Sequence, residues 1–101
     1  MSAAPALRLL AIGGAHLDRR GRMSGDYVPA ASNPGTMREE IGGGAFNALR
    51  NAVACGVKGT LFSVRGGDAA GLRVAAEAAD WRIDDLSVTF LDRATPSYTA
   101  L

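Results

Sequence analysis

Asp18, His16, the run Gly42-Gly43-Gly44 and Asn47 are the residues of this chain whose types and spacing could do chemistry. A carboxylate can accept two hydrogen bonds from neighbouring hydroxyls, the geometry of a vicinal diol. His16, two residues before Asp18, could add a third contact. Glycines ahead of a helix leave the main chain bare, and unpaired N–H groups at a helix N-terminus bind oxygens well. Glycine costs backbone entropy and offers no packing, so something is expected to come close to the backbone there. Asn47, in the first helical turn, can both donate and accept, which suits a hydroxyl. Each feature also has a plainer reading. Asp18 can cap a turn, the glycines can form a flexible turn, and Asn47 can serve the helix entrance. For His16 an ordinary hydrogen-bonded histidine outweighs a metal ligand, because the chain has no second His.

The glycine run is not a phosphate loop, because no Gly-Lys-Ser/Thr follows it, and Asn47 breaks a Gly-x-Gly-x-x-Gly reading. A third stretch, Gly66 to Gly71, holds Gly66, Gly67 and Asp68 after an apolar run. A strand-to-helix turn accounts for it, with the loop shaping a site only indirectly.

These residues need elements to hold them. Leu7 to Ile12 is an apolar run closed by Gly13-Gly14 and predicts a buried strand of a parallel sheet. Asp18 then falls just past the end of that strand, where open α/β sheets bind ligands. The following polar stretch is long for a turn, and such loops are usually functional. It predicts short exposed strands in part, with extended character at Gly35 to Ile41. Ala45 to Cys55 predicts a helix with Ala45, Ala48, Leu49 and Ala52 on one face, widened by Phe46 and Val53, and Gly56 as its left-handed C′ residue. Thr60 to Val64 reads as a strand. Ala69 to Ala79 reads as a helix capped by Asp68, with Leu72, Ala75, Ala76 and Ala79 on its apolar face. Ser87 to Leu91 reads as a strand, and Ser97 to Leu101 begins another. The order is an α/β pattern with a mainly parallel sheet and right-handed crossovers.

A chain of 101 residues makes one domain at most. Its 48% apolar content argues against disorder, and its formal charge of +1 argues against a nucleic-acid surface. Cys55 is the single cysteine, which excludes an internal disulfide, and it reads as a small buried hydrophobe. The N-terminal run contains Arg8 and lacks a charged leader, so it reads as a strand and not a signal peptide. No run reaches membrane-span length, and a cytoplasmic protein is the expectation. The chain halts within an apparent strand at Leu101, which suggests a piece of a larger protein.

Taken together, the motifs resemble the N-terminal part of the ribokinase-like (PfkB) carbohydrate kinase family. Gly13 to Asp18 fits its Gly-x-x-x-x-Asp turn. Gly42-Gly43, Ala45, Asn47 and Gly56 fit its first signature, and Gly66, Asp68 and Gly71 its Gly-x-Asp-x-x-Gly. The resemblance covers nearly all of the chain. It implies a Rossmann-like parallel sheet with flanking helices and a small β lid, formed by about 19–41 and 95–101. It implies ATP-dependent phosphorylation of a sugar or nucleoside hydroxyl, with ATP and Mg²⁺ required. Asp18, Gly43 and Asn47 would hold substrate hydroxyls, with Gly42 in the same turn and His16 alongside. Ser32 to Gly35, "SNPG", looks like the branch containing pseudouridine kinases. His16 stands where ribokinases often carry Asn, which puts plain ribose in doubt. The family's catalytic base, an aspartate in Gly-Ala-Gly-Asp, does not occur up to Leu101. The chain alone is therefore expected to be inactive. The oligomeric state stays open; lid strands in the family often pair between subunits, and the resemblance would then imply a homodimer through them. Two rivals stay open: a sugar-binding or regulatory module without catalysis, and a Rossmann-type dinucleotide-dependent oxidoreductase.

Overall fold

The computed structural model describes residues 7–101. Residues 1–6, part of the stretch read as no signal peptide, lie outside the described residues. The first apolar run forms β1 (Arg8–Ile12), which pairs in parallel with β4 (Lys58–Phe62). β4 pairs in parallel with the short β6 (Asp84–Asp85). The strand expected to end at Val64 breaks at Ser63 and resumes as β5 (Val64–Gly66), parallel to β7 (Val88–Phe90). Ser63 makes the break because its N–H donates to Ser87 Oγ at 3.0 Å instead of to a backbone carbonyl.

The segment between β1 and the first helix is more regular than its polar composition suggests. It forms an antiparallel hairpin of β2 (His16–Met23) and β3 (Gly35–Gly42), and β8 (Ser97–Ala100) adds in parallel to β2. Leu17 and Ile41 face each other across the hairpin and are buried. Period-two alternation then puts His16, Asp18, Glu40 and Gly42 together on the opposite face. Asp18 thus lies inside β2 and not in a turn past β1.

Helix α1 (Gly44–Ala54) ends as expected, with Gly56 at φ +86. The Gly56 N–H donates to Val53 O at 2.9 Å and the Val57 N–H to Ala52 O at 3.0 Å, a Schellman closure. Cys55 is the C-cap and is exposed, which corrects the buried reading: it lies past the last helical residue, Ala54, while the buried residues of α1, Phe46 and Leu49, sit at or before its midpoint. The buried face also sits differently. Phe46 and Leu49 are fully buried, while Ala48 is exposed, because the bulky side chains and not the alanines orient the helix.

Helix α2 (Ala69–Asp80) shows the opposite rule. Gly71, Val74 and Ala78 are buried, whereas Leu72 is 73% exposed. A Cβ at Gly71 would stand 2.2 Å from Gly66 O, so the one residue able to lie there fixes the helix rotation and turns Leu72 outward.

The core joins Leu17 and Ile41 to Phe46, Leu49, Leu61, Val74, Ala78 and Ile83 on one side of the parallel strands. On the other side Leu10, Ile12, Phe62, Val64, Val88 and Phe90 are exposed. Parallel sheets are ordinarily covered on both faces. Among the described residues no helix is long and apolar enough to cross a membrane.

Candidate functional site

Asp18 is carried on β2 next to the β3–α1 junction. A Cβ at Gly42 would meet Asp18 Oδ2 at 2.1 Å, so the carboxylate lies directly against the Gly42 backbone. His16 Nδ1 is 2.9 Å from Asp18 Oδ1. The two atoms are not aligned as donor and acceptor, and both are buried without a hydrogen-bond partner. Buried polar atoms are nearly always paired, so this carboxylate retains unused accepting capacity.

Gly43 is the N-cap of α1, at φ 103, and no side chain caps the helix. A Cβ there would stand 2.4 Å from Gly14 O, and the Phe46 N–H donates to that same carbonyl at 3.2 Å. The glycines therefore accommodate the chain itself: Asp18 occupies the space beside Gly42, and Gly14 the space beside Gly43. Beside Gly44 nothing lies within 4 Å, and this is where the main chain is open to another molecule.

Asp18, His16, Gly42 and Gly43 thus come together. Asn47 lies on the first turn of α1, but its Oδ1 accepts from the Arg50 guanidinium and its side chain does not bond the carboxylate. Arg50 in turn lies over the Phe46 ring, 5.2 Å from its centroid. A cavity of about 280 Å³ opens beside His16, lined also by Gly13, Gly14, Phe62, Val64 and Pro96. The arrangement can accept hydroxyl protons at Asp18 and offer backbone N–H donors at the α1 entrance.

Asp68 has a different place. Its carboxylate caps α2 by accepting from the Gly71 N–H at 2.9 Å. It also accepts from the Thr95 hydroxyl at 2.5 Å and the Thr95 N–H at 2.9 Å. Thr95, buried at the root of β8, was not legible as a partner, since nothing in its local sequence between Ala94 and Pro96 marks it and only the fold brings it to Asp68. The hydroxyl bond from Thr95, aided by the N–H groups of Thr95 and Gly71, holds the Asp68 carboxyl at about 2, below the ordinary 3.8.

Asn33 of "SNPG" closes the hairpin tip. Its amide accepts from the Val28 N–H at 2.8 Å and donates to Val28 O at 3.0 Å and Ala31 O at 2.9 Å. This local role accounts for the residue without reference to any substrate.

Among the described residues no group of three or more His, Cys, Asp or Glu could hold a metal ion.

No family model and no curated protein matches the chain. Solved structures do. A carbohydrate kinase from Agrobacterium tumefaciens superimposes at TM-score 0.85 with 49% identity, over 93% of this chain and 31% of that one. A Clostridium perfringens protein assigned as a sugar kinase gives TM-score 0.81 and 26% identity, over 98% of this chain and 31% of its own. A ribokinase from Cryptococcus neoformans in complex with ADP gives 0.76 and 17%, over 95% and 30%, a likeness of fold alone. The fold is that of the ribokinase-like (PfkB) carbohydrate kinases. The chain spans about 31% of the length of the first two of these structures.

Proposed function

We propose that this chain is the substrate-binding portion of an ATP-dependent PfkB-type kinase that phosphorylates a hydroxyl of a sugar or nucleoside. The observation that carries the reading is the 49% identity with a carbohydrate kinase across 93% of the chain. The contact of Asp18 with Gly42 supports it locally. Asp18 accepts two substrate O–H groups, and the open N–H groups after Gly43 receive an oxygen of the same molecule. His16 lies beside the carboxylate and walls the adjacent cavity. Asn47 joins them if its amide leaves Arg50 for a substrate hydroxyl. The hairpin and β8, about 19–41 and 95–101, act as the lid.

When bound, ATP supplies the phosphoryl group, with Mg²⁺ neutralising its charge. Phosphoryl transfer depends largely on positioning, and positioning the acceptor is what these residues do. The nucleotide site and the base belong to the part of the protein outside this chain. The oxidoreductase rival loses its support, because β1 runs through its glycines into a strand, β2, and not into a dinucleotide-binding helix.

The test is to give the full-length protein ATP, Mg²⁺ and a panel of sugars and nucleosides while following ADP release and phosphorylated product. Turnover on at least one member is expected, and the isolated chain should give none. Tight binding of a sugar without turnover would favour the non-catalytic module instead.

A further inference from the structure

We propose that Asp68 and Thr95 form a clamp that positions the Asp18 strand, which makes both of them positioning residues for the reaction. The inference rests on the kinase reading for its kinetic consequence, but not for its geometry.

A helix N-cap needs one side-chain oxygen on one N–H of the first turn. Asp68 meets that need through Gly71 alone. Its remaining bonds go elsewhere: Oδ1 also accepts from Thr95 Oγ1, and Oδ2 accepts from the Thr95 N–H. The Gly66 N–H then donates to Thr95 Oγ1 at 3.0 Å. A Cβ at Gly66 would stand 2.0 Å from Arg93 O, so the returning chain is pressed against the β5–α2 turn. Thr95 is only 6% exposed, which keeps competing water away.

What Thr95 holds is the root of β8. The Leu17 N–H donates to Pro96 O at 3.2 Å, and Ser97 and Tyr98 lie opposite Leu17 and Asp18. β8 is the edge strand of its sheet, with β2 as its single neighbour among the described residues. The chain of contacts is therefore short: Asp68 to Thr95, through Pro96, to the β2 residues that carry the site. Asp68 is ionised at neutral pH, so the bonds it accepts from Thr95 are charge-assisted.

Thr95→Val, Thr95→Ser and Asp68→Asn in the full-length protein test this. Thr95→Val removes the hydroxyl at nearly constant shape. Asp68→Asn leaves one oxygen but sets an N–H against a backbone N–H. Both should lower kcat/KM for the acceptor about tenfold or more, through a raised acceptor KM, because small misplacements of a reacting group cost rate steeply. The KM for ATP should stay unchanged, and Thr95→Ser should behave as the native protein. Without any substrate, amide hydrogen exchange at Leu17 to Arg20 should accelerate in Thr95→Val and not in Thr95→Ser. Native acceptor KM in both disruptive variants, or native exchange at Leu17 to Arg20, would overturn the clamp even if Tm fell. If the native protein phosphorylates nothing, the functional reading fails and the exchange comparison alone decides the clamp. If Thr95→Val does not fold, Asp68→Asn is read in the same way.

Discussion

The two helices begin in opposite ways. α2 starts at Asp68, in extended backbone, with its carboxylate spent on Gly71 and Thr95. α1 starts at Gly43, at φ 103, with no side-chain cap. Both follow a glycine-rich turn, and both turns contain glycines that a Cβ would drive into backbone. The difference lies in what completes the entrance. At α2 the chain supplies its own anion and ties it to β8. At α1 the chain supplies none, while an incompletely paired carboxylate waits one strand away on Asp18. A sealed entrance reads as structure, and an open one beside a spare acceptor reads as a place for hydroxyls.

That contrast can be broken at Gly43. Gly43→Asp would copy the α2 cap, but its Cβ would fall 2.4 Å from Gly14 O in a left-handed backbone. A loss of about 2–5 kcal/mol is expected from strain and overlap together, read by urea unfolding. A variant as stable as the native protein would show that the glycine there is not imposed by the fold.

Acid sharpens the contrast next. Asp68 has a folded value of about 2 against 3.8 when free. Burial pushes the Asp85 carboxyl up, but bonds from Arg65 at 2.6 and 2.9 Å and from Ser87 outweigh it, and its net shift is also down. A carboxyl whose folded value is depressed contributes stability above its unfolded value and loses it as pH falls through the folded one. Urea midpoints should therefore drop as pH falls from about 4 to about 2. Asp68→Asn should flatten part of that fall, and the uncapped α1 entrance should add nothing to it. A midpoint independent of pH in this window would contradict the assignment.

Gly44→Ala should have the smallest effect on stability. Nothing lies within 4 Å of the added methyl, and Ala is the better helix former by up to about 1 kcal/mol. Unfolding should be unchanged or slightly harder. If the open N–H groups receive the substrate, the acceptor KM should nevertheless rise several-fold. Equal stability with an unchanged KM would place the substrate elsewhere.

Both helices, the strands β1, β4, β5 and β7 and the Asp68 cap were legible in the sequence; β6 was read as turn, and β1, expected to be buried, leaves Leu9, Leu10 and Ile12 exposed. What the sequence misjudged were orientations set by contacts distant along the chain. Leu72 looked like core, but the Gly71 contact with Gly66 decided how α2 turns. Ala48 shared a helical face on paper, yet Phe46 and Leu49 drew α1 round. The glycines at 42 and 43 suggested a ligand against the backbone, and the neighbours found there are Asp18 and Gly14. Asp18 and Gly42 were readable as candidates because their types suit polyol chemistry. Their contact depends on a register between β2 and β3 that polar, weakly alternating strands do not announce. Thr95 carried no local signal, because its partner lies 27 residues away.

The most direct measurement is steady-state kinetics of Asp18→Ala in the full-length protein, on whichever acceptor it phosphorylates. The account predicts a fall in kcat/KM of about 100-fold or more, an unchanged KM for ATP and a folded protein with native Tm. Native kcat/KM in that variant would contradict it and leave Asp18 a structural residue of β2.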